Sequence, residues 1–114
     1  MSANITLSMS TLEQLSPVIR IFAHPLRLRI LDFLETSTTP QRVTEIVGVC
    51  EGAQQAIVSQ QLKIMRDMEI LDSERRKNCV YYSIKNAEVL YFLDCVRKFD
   101  LSSESSSHTP TTKI

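Results

Sequence analysis

GAQQAIVSQQLKIMRDMEIL, residues 52–71, sets four glutamines, a serine and a lysine among regularly spaced apolar residues. Val58, Leu62 and Met65 recur at steps of four and three, the spacing that lays side chains along one face of a helix, with Ile57 and Gln61 beside them. The other side then carries Gln55, Ser59, Gln60, Lys63 and Arg66. Glutamine is a good helix former that costs nothing in water, so a solvated face is one reading of these amides. The other is a partner surface that displays its own hydrogen-bond donors and acceptors, and the edges of DNA bases are the commonest such surface.

Downstream of Leu71 the period changes from 3.6 to two. In LDSERRKNCVYYSI, residues 71–84, a charged segment reaches a Lys77-Asn78 turn, with Asn78 expected to take the left-handed backbone, and Val80, Tyr81, Tyr82 and Ile84 follow with strand propensity. The pattern predicts a hairpin with a basic tip. A last helix is expected from about Asn86 to Phe99, carrying Val89, Leu90, Phe92, Leu93 and Val96.

Upstream, residues 7–15 form a plausible helix with Leu7, Leu12 and Leu15, and Ser16-Pro17 reads as the N-cap and first position of a second short helix. Phe22, Leu26, Ile30, Leu31 and Leu34 then mark a buried helix opened by Pro25, with His24 as its cap, and ended by the TSTTP stretch at 36–40. A short amphipathic piece over 44–50 turns Val43, Ile46, Val47 and Val49 inward before Gly48 and Gly52 loosen the chain. Two helices joined by a short turn and followed directly by a two-stranded ribbon describe a winged helix-turn-helix, mostly α with a small β-hairpin. Its second helix enters the major groove while the ribbon lies on the backbone or minor groove.

Composition bounds the function. At 114 residues and 43% hydrophobic, the chain suits one domain with one modest core, expected over residues 1–101, followed by a disordered polar tail over 102–114. Thirteen basic residues balance thirteen acidic ones, so a nucleic-acid partner requires the basic groups to be gathered on one face. Cys50, Cys79 and Cys95 are an odd number at wide spacing, which suits reduced thiols in a cytosol. No apolar run approaches the roughly 20 residues that span a bilayer, and the N-terminus has no secretion signal. A cytoplasmic protein without a membrane partner is expected. The only glycines are Gly48 and Gly52, so there is no phosphate loop, and neither a His-rich metal motif nor a cysteine with a plausible histidine base is present. The chain does not read as an enzyme.

Three segments together resemble the ArsR/SmtB family of bacterial winged-helix repressors: IFAHPLRLRILDFL at 21–34, GAQQAIVSQQLKIMRDMEIL at 52–71 and ERRKNCVYYSI at 74–84. The resemblance runs over roughly residues 17–100 in one unbroken order. It implies a homodimer, paired through the N-terminal and C-terminal helices, that represses transcription from an inverted repeat on double-stranded DNA. Symmetry asks for the same, because one short recognition helix reads too few base pairs and two of them a helical turn apart read enough.

On that resemblance Gln54, Gln55, Ser59 and Gln60 are the candidate base contacts, and a Gln amide can bond adenine N6 and N7 together. Lys63 and Arg66 are placed on phosphates, and Arg75, Arg76 and Lys77 at the wing. For each, the alternative is an ordinary solvated surface. Two departures stand out: the family histidine is Gln61 here, and a bulky Ile57 fills a position that is often alanine, both expected to pack at the core edge. The positions that hold metals in relatives fall on Val43 and Glu45 and on Asn86, Glu88, Phe99 and Ser102, so no metal or other cofactor is expected. Cys95, beside Arg97 and Lys98, is the candidate thiol sensor. Between Gln60 and Asn86 six bases face four carboxylates, Asp67, Glu69, Asp72 and Glu74, and a DNA interface needs those acids turned from the duplex. The rival reading is a winged-helix module that binds protein without specific DNA binding.

Overall fold

Val58, Leu62 and Met65 have no exposed surface, so the helical period of residues 52–71 is also the line along which that segment meets the core. The computed structural model of the protein describes residues 6–106, with side chains through residue 99. The elements in chain order are α1 (Met9–Ile21), α2 (Pro25–Thr36), β1 (Gln41–Arg42), α3 (Val43–Gly48), α4 (Gln55–Asp67), β2 (Leu71–Arg76), β3 (Cys79–Ile84) and α5 (Ala87–Ser106). The strands make one antiparallel sheet in the order β1-β3-β2, with Leu71 opposite Ile84 at the hairpin root and Arg76 opposite Cys79 at the tip. This is a winged helix-turn-helix: α3 and α4 form the helix pair, and β2 and β3 the wing.

The core lies where α2, α3, α4 and the root of the wing converge, with Ile30, Leu31, Ile46, Leu62, Ile70 and Leu71 fully buried. Val89 and Leu93 of α5 and Ile21 of α1 close it from the other side. Phe22 stacks on Phe92 with ring centroids 3.9 Å apart, fixing the end of α1 against α5. Arg97 of α5 reaches both Asp32 and Glu35 of α2, a clamp of three side chains that ties α5 to α2.

Several local expectations need correction. The helix expected over 7–15 and the one expected to start at Ser16-Pro17 are a single helix, α1, with Pro17 inside it. The N-cap is Ser8, whose Oγ accepts from the Thr11 backbone N–H at 3.1 Å. Proline inside a helix costs about 3 kcal/mol, yet continuing through it carries Val18, Ile21 and Phe22 to the core, and their packing prevails. At the hairpin tip the left-handed residue is Lys77, with φ 56°, not Asn78. His24 precedes α2 as expected, and its carbonyl accepts the Leu28 N–H at 3.0 Å, but its imidazole makes no capping bond. The two-residue β1 carries no sequence signal of its own and exists by pairing Gln41 with Tyr82 and Arg42 with Tyr81. Helix α5 extends to Ser106, beyond Phe99 where the apolar period stops, and residues 107–114 of the expected tail lie outside the described residues.

Because Leu62 sits at the centre of the apolar face of α4 with no exposed surface, Leu62→Ala should cost about 2–5 kcal/mol in urea unfolding at fixed protein concentration, with the slope of the transition unchanged. Lys63→Ala, one residue on and exposed, should move stability by no more than about 0.5 kcal/mol.

Candidate nucleic-acid interface

Helix α4 is held at three points. Its core row is buried against α3 and β2; its start is capped by the Gln54 carbonyl, which accepts from Ile57 and Val58 N–H groups at 3.0 and 3.1 Å; and its end turns sharply into the wing. At that end the Glu69 N–H donates to the Arg66 carbonyl and the Ile70 N–H to the Met65 carbonyl, each at 2.9 Å, with Glu69 in the left-handed region at φ 67°. This is the paired-bond helix stop usually built on glycine. Ile70 then buries its side chain, and its carbonyl accepts the Lys85 N–H at 2.8 Å at the wing root.

The four glutamines separate into two kinds. Gln61 is half-buried, and its Oε1 accepts from Arg27 Nε at 2.6 Å, so this amide ties α2 to α4. Gln54, Gln55 and Gln60 are exposed and make no side-chain hydrogen bond among the described residues. Ser59 is half-buried on the same helix. Of the two residues expected at the core edge, Gln61 is there, but Ile57, one turn earlier on the same flank, is 43% exposed.

The cations also divide. Arg66 pairs with Asp67 at 3.1 Å, Arg76 with Glu74 at 3.0 Å and Lys85 with Glu69 at 2.6 Å. Arg76 also lies 4.9 Å from the centroid of the Tyr81 ring, and its guanidinium holds the Glu74 carboxyl below the usual carboxylate range. Asp67 and Glu69 are therefore occupied by neighbouring cations rather than simply turned away, and Glu69 belongs to the turn, not to the helix. Lys63, Arg75 and Lys77 are exposed and have no carboxylate partner among the described residues.

Of the residues that the resemblance singled out as metal positions, Glu45 and Asn86 are already bonded within the chain. Both Glu45 oxygens are taken by Arg42, one by its backbone N–H at 3.0 Å and one by its guanidinium at 2.9 Å, which keeps the carboxyl below its ordinary range. Asn86 Oδ1 accepts the Glu88 N–H at 2.9 Å and starts α5. Val43 is half-buried and Phe99 is 75% exposed, while the side chain of Ser102 lies outside the described residues. Of the thiols, Cys50 is buried and its pKa is pushed up by that burial, Cys79 is half-buried in the wing and Cys95 is exposed on α5. Of the two cations beside Cys95 in sequence, Arg97 points to Asp32 and Glu35 instead, and Lys98 is exposed.

Comparisons with known proteins bear on this arrangement. Residues 24–73, from the start of α2 into the wing, match the family described as bacterial regulatory protein, arsR family. Over 79 residues, 68% of this chain and 76% of the relative, the sequence is 38% identical to the HTH-type transcriptional regulator YgaV of Escherichia coli strain K12. The transcriptional repressor PagR of Bacillus anthracis superposes with a TM-score of 0.68 at 30% identity, over 78% of this chain and 99% of that one. A homodimeric winged helix-turn-helix DNA-binding domain from Mycobacterium bovis superposes with a TM-score of 0.68 over 98% of this chain and 100% of that one, and at 20% identity speaks for the fold alone. The helix pair, the wing and the matched sequence agree: the chain belongs to the arsR family of bacterial regulatory proteins, which are DNA-binding transcriptional regulators and not enzymes.

Proposed function

We propose that the protein is a repressor that binds an inverted-repeat operator as a homodimer, with α4 in the major groove and the wing on the backbone. The observation that carries this reading is the partition on α4 and the wing. Three amides and three cations are left free on a surface where the other cations are already paired. Gln54, Gln55 and Gln60, with Ser59, supply donors and acceptors for base edges. Lys63, Arg75 and Lys77 supply the phosphate charge, and Arg66 and Arg76 contribute less because each already has a carboxylate beside it.

The dimer is supported by α1 and α5. Residues 9–14 of α1 are all exposed, Met9 and Leu12 among them, and a 13-residue helix exposed over half its length is marginal in water. Tyr91 and Phe99 of α5 are 76% and 75% exposed, and with Cys95 they follow at steps of four along one stripe. Two such stripes on each chain suit a two-fold contact, and the Mycobacterium bovis domain of the same fold is itself homodimeric. The protomer with its wing and helix pair occupies residues 1–101 in this reading, and the work is done on DNA in the cytoplasm. Cys95 lies within the proposed pairing stripe, where oxidation or alkylation would disturb the contact.

Light scattering after gel filtration should return about twice the 13.0 kDa chain mass at micromolar concentration, and a stable monomer there would remove the dimer. In mobility shifts with the DNA upstream of its own gene, Gln55→Ala should lose roughly 1–3 kcal/mol of specific binding while binding to shuffled DNA stays nearly intact. Equal losses on both would show that Gln55 does not read bases, and failure of the unaltered protein to prefer either DNA would favour a protein partner. Arg75→Ala and Lys77→Ala should each flatten the dependence of log K on log salt by about one unit per lost phosphate contact, and Arg76→Ala by clearly less. A slope unchanged in all three would take the wing out of the interface.

A further inference from the structure

Among the described residues, the large apolar side chains that face solvent lie on α1, on the turn before it, or on α5, with one exception. That exception is Ile57, in the first turn of α4. Its helical neighbours three residues to either side are Gln54 and Gln60, both exposed, and four residues on is Gln61, which Arg27 holds. An aliphatic side chain thus stands between two free amides, outside the surface assigned to pairing. As a β-branched residue in a helix it has one strongly preferred χ1, so it loses little freedom on meeting a partner.

The major-groove edge of an A·T pair presents the matching chemistry. Adenine offers N7 and N6, which one glutamine amide can bond together, and thymine offers O4 and a C5 methyl, the apolar group of that edge. The first turn of a recognition helix is the part that reaches base edges. We propose that Ile57 is a specificity-determining residue that packs on a thymine C5 methyl, with a neighbouring glutamine on adenine, so that each half-site is read in part as an A·T pair. This rests on the DNA-binding reading above. The gain is that of burying one methyl-sized group, about fourfold in affinity per half-site.

The test uses the full-length protein and a duplex footprinted upstream of its own gene, with each thymine replaced in turn by uracil, which removes only the C5 methyl. Anisotropy titrations should show one thymine per half-site whose replacement weakens binding about fourfold. At that position Ile57→Ala should bind thymine and uracil duplexes alike, and Ile57→Val should keep most of the difference, with thermal melts confirming that both variants are folded. If uracil is tolerated everywhere while the footprint stands, or if Ile57→Ala still tells thymine from uracil there, Ile57 does not read the methyl. If no footprint forms and shuffled duplex binds equally, the DNA-binding reading itself fails, and this inference with it.

Discussion

The geometry of the whole surface depends on the turn between α4 and the wing. Ile70 donates its N–H back to Met65, accepts the Lys85 N–H through its carbonyl, and buries its side chain, so one residue ends the helix, roots the hairpin and joins the core. Such a stop requires a left-handed residue just before it, and here that residue is Glu69. The conformation costs a side chain about 1–2 kcal/mol that glycine would not pay. Burial of Ile70 and Leu71 offsets the strain, and Lys85 gives the Glu69 carboxylate a partner. Since α4 and the wing leave the same short turn in fixed directions, they meet any partner as one rigid surface.

A protein with no net charge can still present a cationic surface if its acids are spent elsewhere. Here Asp67, Glu69 and Glu74 each neutralise a neighbouring cation, so the residual charge of the region is that of Lys63, Arg75 and Lys77 set against the exposed Asp72. Over distances longer than the roughly 10 Å Debye length at 0.1 M salt, the molecule is nearly neutral to an approaching polyanion. Attraction then operates only near contact. Such a regulator would gain less from non-specific binding and depend more on its base contacts, which gives the amides and Ile57 more weight than they would carry in a strongly basic relative.

The fold was legible in the sequence wherever burial enforces a period. The spacing of Val58, Leu62 and Met65, the alternation through Tyr82 and Ile84, and the proline opening α2 each predict the element that forms, and the resemblance places them in order. What was not legible depends on contacts between distant residues. Pro17 reads locally as a helix start, and only the packing of Ile21 and Phe22 shows that the helix continues through it. Glu69 gives no sign of a left-handed turn, because glycine or asparagine would normally mark it. The helical period puts Gln61 at the core edge, apart from the other three amides, but nothing in the sequence marks its bond to Arg27, 34 residues away. Likewise the pairing of cations could be counted in sequence but not assigned, so Arg66 and Arg76 looked equal to Lys63 and Lys77.

Helix α2 touches neither end of the proposed function directly, yet it is gripped from both. On one side Arg97 of α5 binds its Asp32 and Glu35, and on the other its Arg27 binds Gln61 of α4. Charged side chains bridging half-buried seams resist sliding more than apolar contacts do, because a displaced guanidinium leaves its partners unpaired in a partly desolvated setting. In the dimer proposed above, α5 sets the distance between protomers and α4 meets the DNA, so the two seams oblige α4 to follow α5. A disturbance that separates the paired α5 helices would then carry the recognition helices with it rather than being absorbed inside each protomer. The spacing of half-sites is fixed by the pitch of DNA, so in that proposed dimer a small change at the pairing stripe would translate into loss of one half-site.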